Sequence, residues 1–97
     1  MALVSFRAKA EKIYNMDNTL AYVRIKVPAL KRAHCDMNAF RQHPRFGAYA
    51  NSDMFEGILK RQAQERFPSG YIRLDHPIPD GVVIDQRNFL ATVSFDL

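Results

Sequence analysis

The sequence predicts an α+β domain: a mainly antiparallel sheet in the order ββααβββ, with the helices packed on one face. Three observations carry this. Runs of alternating polarity stand at both ends of the chain. An apolar stripe at helical spacing lies between them. Asn, Asp, Pro and Gly mark the joins. Strands at the ends and helices in the middle place both helices on one sheet face. The 97 residues form one domain, 1–97. A chain this short has a core with little redundancy.

The first strand covers residues 3–14, LVSFRAKAEKIY, where Val4, Phe6, Ala8, Ala10 and Tyr14 fall on one parity and Ser5, Arg7, Lys9 and Glu11 on the other. NMDNT supplies turn residues. LAYVRIKV then alternates again, with Ala21, Val23, Ile25 and Val27 inward and Tyr22, Arg24 and Lys26 outward. Two such runs joined by a turn read as a hairpin. Pro28 ends the second strand because it offers no ladder donor. Asp36 is placed to cap a short helix over 37–43, which Pro44 stops. RFGAYAN is a loop. A longer helix should begin near Ser52 or Asp53, with Glu56 completing a capping box. Met54, Phe55, Ile58, Leu59, Ala63 and Phe67 form its apolar stripe. YIRLD, GVVID and NFLATVSFDL give three further strands, the last with Phe89, Ala91, Val93, Phe95 and Leu97 on one parity. Pattern alone leaves the strand neighbours open.

Charge is unevenly spread. Residues 1–45 carry nine Lys/Arg against three Asp/Glu, and residues 46–97 carry five against seven. The basic first half suits a phosphate backbone or an acidic protein face. A single cysteine, Cys35, closes no internal disulfide and points to a reducing compartment. The apolar run before the first charge is too short for a secretory leader. No stretch reaches the ~18 apolar residues of a membrane span. A cytoplasmic location is the expectation.

The densest chemistry lies in HCDMNAFRQHPRFGAYANSDMF, residues 34–55, with two histidines, the cysteine and two aspartates. His34, Cys35 and Asp36 are consecutive, so their side chains diverge. His43 lies outside the i, i+4 spacing that sets two ligands on one helix face. The stretch reads instead as cap, packing residues and stop. No metal site or catalytic residue is assigned, no cofactor or small-molecule substrate is expected, and the four dispersed glycines form no phosphate loop. The chain is expected to be a binding module rather than an enzyme.

Two surfaces follow. The RFGAY loop places Arg45, Phe46 and Tyr49 around a glycine, residue types enriched at protein contacts. It suggests a protein partner or self-association, helped by a free sheet edge. Alternatively, Arg7, Lys9, Tyr22, Arg24 and Lys26 share the outer face of the first hairpin, extended by Lys31 and Arg32 and then Arg41 and Arg45. Together they offer phosphate neutralisation and a stacking ring to nucleic acid.

Two resemblances bear on function. Asp75, His76, Pro79, Gly81, Asp85, Asn88 and Phe89, in LDHPIPDGVVIDQRNFLA, resemble the start of the HNH-endonuclease motif. That likeness implies His76 activating water and Asp75 holding a divalent ion. The family's following helix and last ligand are missing, because ATVSFDL alternates as a strand. CDMNAFRQHPRFGAYANSDMF resembles small accessory proteins of actinobacterial phages and mobile elements. This likeness implies no activity; it favours contact with a macromolecule.

Overall fold

The computed structural model describes residues 2–75 and 78–97. Its elements are β1 (Leu3–Tyr14), β2 (Leu20–Lys26), α1 (Met37–Arg41), α2 (Phe55–Arg66), β3 (Tyr71–Leu74), β4 (Val82–Asp85) and β5 (Leu90–Asp96), with 3-10 turns at Arg32–His34 and Gly47–Tyr49. The five strands make one antiparallel sheet in the order β3-β2-β1-β5-β4. The α+β class and the antiparallel sheet are as expected. The helical layer differs, because α1 is a single turn and, among the described residues, α2 is the one substantial helix.

One strand face and α2 make the core. Val4, Phe6 and Ala10 of β1, Ile25 of β2, Ile72 of β3 and Ala91 and Val93 of β5 are buried with Phe40 of α1 and Phe55, Leu59 and Ala63 of α2. Phe55 and Phe40 meet edge to face, with an interplanar angle of 76° and a centroid distance of 4.7 Å, within the favoured range for aromatic pairs. Burying two Phe side chains contributes about 1.5–3 kcal/mol each. Met54, expected on the stripe, is 61% exposed instead. It precedes the first helical turn, because α2 starts at Phe55 rather than at Ser52 or Asp53. The expected capping box does not form; Ser52 Oγ accepts from the Met54 N–H at 3.1 Å.

β1 belongs to two half-sheets. Residues 3–9 pair with β5, and residues 10–14 pair with β2. The Ala10 N–H donates to the Phe89 carbonyl at 3.0 Å. Past Lys12, among the described residues, no further strand pairs with the β1–β2 hairpin, which runs on as an arm where Tyr14, expected inward, is 57% exposed. Its tip is closed by the expected turn: Asn18 takes a φ of 67°, and Asp17 Oδ1 accepts from the Thr19 N–H and hydroxyl at 3.1 and 2.6 Å. Those bonds hold the Asp17 carboxyl below its ordinary range. The arm stretches the molecule to 51 × 23 × 20 Å, with a radius of gyration of 15.2 Å; a compact chain this size gives about 13 Å.

Two glycines sit where nothing larger fits. A Cβ on Gly47 would lie 2.5 Å from the Arg41 carbonyl oxygen. Gly81, at φ 83°, lies against Ser94, whose N–H donates to its carbonyl at 2.8 Å. Of the Asp80-Gly81 pair, the glycine takes the positive φ.

Candidate nucleic-acid interface

The sheet face turned away from α2 gathers the basic side chains. Register sets Glu11 opposite Arg24, Arg24 opposite Arg73, and Lys26 opposite Tyr71. Residues directly opposite share a face, so Arg7, Lys9, Tyr22, Arg24 and Lys26 line one surface as expected. β3 adds Tyr71 and Arg73, which the sequence reading missed. Their outward parity was readable in YIRL; that they lie beside β2 required the strand order.

These side chains form a crossed ladder. The Arg24 guanidinium lies 4.1 Å from the Tyr71 ring centroid, and that of Arg73 lies 4.3 Å from the Tyr22 centroid. Each arginine also has a carboxylate neighbour. Arg73 Nε donates to Asp75 Oδ1 at 3.1 Å. Arg24 Nε lies 3.5 Å from Glu11 Oε2 but makes no hydrogen bond among the described residues. The exposed Arg73–Asp75 pair is worth ~0–1 kcal/mol, so Arg73 remains available to a phosphate, whereas Arg24 is partly buried and its Nε is inaccessible to solvent. Lys9, Lys26 and Arg7 are exposed on the same face. Asp85 lies across the sheet, where Asn88 and the turn backbone hold its carboxyl below the ordinary range, with a small further contribution from Arg7.

Arg32 is not free to extend this surface. Lys31 stands exposed before the 3-10 turn at Arg32–His34, after which Cys35 bridges to Val4 of β1. Arg32 serves the fold: it donates from Nη1 to the Ala50 carbonyl and from Nη2 to the Ser52 carbonyl at 3.0 Å, and its guanidinium lies 4.6 Å from the Phe55 centroid. A guanidinium held by two carbonyls and a buried ring is a clamp on the loop before α2.

The RFGAY loop also needs a correction. Phe46 is only 9% exposed, because its ring turns inward beside Phe40 and His43, at centroid distances of 6.4 and 4.9 Å. Arg45 covers its other side at 4.9 Å. Tyr49, 40% exposed, and Arg45 remain at the surface. A contact anchored on the Phe46 ring is therefore excluded.

The His-Cys stretch is occupied by structural bonds. His43 Nδ1 accepts from the Arg45 and Phe46 N–H groups at 3.0 and 3.1 Å, which leaves the proton on Nε2, 3.0 Å from the Leu97 carbonyl. His34 Nδ1 accepts from the Lys31 N–H at 2.9 Å. Asp36 caps α1 as expected, accepting from Asn38 and Ala39. Burial pushes the Cys35 thiol up to about 11. Among the described residues, no three His, Cys, Asp or Glu side chains come together as a metal site would need.

Of the endonuclease-like stretch, His76 lies outside the described residues. Asp85 and Asn88 are used in the β4–β5 turn: Asp85 Oδ1 accepts from the Arg87 and Asn88 N–H groups, and Oδ2 from the Asn88 amide at 2.8 Å. Residues 90–96 form a strand where that motif needs a helix. No helix among the described residues is long and apolar enough to cross a membrane. Comparison of the chain with protein-family models, curated proteins and solved structures finds no match.

Proposed function

We propose that this chain is a non-enzymatic module that binds single-stranded nucleic acid across the outer face of β3, β2 and β1. The observation that carries the reading is the Tyr22–Arg73 and Arg24–Tyr71 ladder, flanked by Lys26, Lys9 and Arg7 on a face that, among the described residues, no helix covers. Lysines and arginines neutralise phosphates, while tyrosines and guanidinium planes stack on bases. Two tyrosine rings at opposite ends of the ladder, with Arg24 and Arg73 between them, suit splayed bases of a single strand better than a closed duplex.

The test is binding to labelled single-stranded RNA, single-stranded DNA and duplex DNA across a salt series. Five contacts to a single strand give a log-log slope of about −3.5, a loss on the order of 100-fold between about 50 and 200 mM salt. Replacing Lys9 and Lys26 by Glu should flatten that slope; Tyr22→Ala with Tyr71→Ala should weaken binding with the slope unchanged. No binding at low salt overturns the reading, and preference for the duplex overturns its single-strand part.

A second reading, contact with a protein including self-association, has its own support. Tyr14, Met16 and Leu20 are 57, 105 and 53% exposed on the β1–β2 arm. With Phe46 buried, the arm replaces the RFGAY loop as the contact surface for that reading.

A further inference from the structure

The arm projects apolar side chains with no other strand beside them among the described residues. Among the described residues, β1 past Ala10 has no strand on its β5 side, and β2 has none on its β3 side before Val23. A two-stranded hairpin is marginal alone in water, and exposed Tyr14, Met16 and Leu20 add an apolar tip.

A matching concavity lies at the other end of β2. A groove of about 490 Å³ runs between the chain that follows β2 and α2, lined by Val27, Leu30, Ala63 and Phe67, with Gly57 and Lys60 on its helical wall. Its volume falls within the range of clefts that bury a ligand, ~300–1,000 Å³. A Cβ on Gly57 would meet nothing within 4 Å, so nothing inside the molecule requires glycine there. The α2 backbone is left open to whatever enters.

We propose that this groove receives the β1–β2 arm of a second copy of the chain, each copy lending its arm to the other about a two-fold axis. The proposal rests on the protein-contact reading and names its partner. The arm cannot reach its own groove, because the seven residues of β2 hold the two ends roughly 23 Å apart at about 3.3 Å per residue. Two elongated copies lying antiparallel set each tip beside the other's groove, so both contacts form at once and the assembly closes. Met16 and Leu20 supply the apolar filling. Asp17 at the tip meets Lys60 on the rim; Glu56 shares that rim, so the ion pair orients the tip while apolar burial supplies the affinity.

Photo-crosslinking from position 16, with p-benzoylphenylalanine in place of Met16, identifies the occupant in the producing cells. The expected product has twice the mass of the chain, joined to residues of the groove. A product with a different protein overturns the second copy and keeps the protein-contact reading; no product overturns both. Sedimentation equilibrium of the purified chain gives the independent arm. The wild type should be a dimer, and Met16→Asp with Leu20→Asp, or Gly57→Leu, should each give a folded monomer by circular dichroism. Mixing those two monomers restores one arm and one groove, so the mixture should associate where neither variant does alone. A monomeric wild type, a mixture that stays monomeric, or a series of growing assemblies overturns the reciprocal exchange.

Discussion

Phe46 and His43 show how a single residue is placed by what surrounds it. Phe40, His43 and Phe46 recur every three residues, a spacing that stacks side chains on one side of a turning backbone. That signal was present in FRQHPRF, but the aromatic-Gly grouping of RFGAY concealed it. Cys35 makes the same point chemically. Its thiol, with an ordinary value of 9.0, is pushed up to about 11 by burial, so little thiolate exists near neutral pH. At pH 8 the folded protein should react with a disulfide reagent at least ~10-fold more slowly than a free cysteine does; an equal rate would refute the burial argument. The sign of the accompanying pH effect is fixed. The unfolded thiol ionises first, so the folded state holds the extra proton and stability falls as pH rises from about 9 to about 11. Urea titrations of Cys35→Ser should lack that part of the decline.

At the scale of elements, the strands and the Asp36 cap were legible because period-two alternation and capping chemistry are local. The start of α2 was not. Ser52, Asp53 and Glu56 offered a plausible cap, yet the Ala50 and Ser52 carbonyls are held by Arg32 from twenty residues or so away, and the helix begins only at Phe55. Arg32 was read as part of a basic patch for the same reason: its partners are distant in sequence. Removing it leaves two carbonyls without their donor and uncovers Phe55. Arg32→Ala should therefore cost about 2–3 kcal/mol in urea unfolding, since a charge-assisted hydrogen bond contributes ~1.5–3 kcal/mol. Arg32→Lys should recover less than half, because an ammonium cannot reproduce the planar fork. Full recovery by lysine would show that charge alone matters there. The candidate interface divides similarly: Tyr22, Arg24 and Lys26 followed from one strand's parity, while Tyr71 and Arg73 needed the β2–β3 pairing.

Across the whole molecule, β1 joins the β3-β2 half to the β5-β4 half, so neither has a core of its own. Ile25 lies in one half and Val93 in the other, both essentially inaccessible to solvent. Ile25→Ala should lower stability by about 2–5 kcal/mol, with Val93→Ala somewhat less, and each should shift one shared transition. Tyrosine fluorescence, weighted toward the β1–β2–β3 half, should then coincide with far-ultraviolet circular dichroism; separated midpoints would mean that the halves unfold independently. The register of β1 also sets the order of folding events. Its second half meets β2 through a short local turn, whereas its first half meets β5 across nearly the whole chain, with Ser5 opposite Ser94. Contacts that close so long a loop come late and slow the search. On the ribosome, Val4 and Phe6 must wait for Phe95 and Val93 to emerge, so the hairpin is made early while the core remains open until β5 arrives.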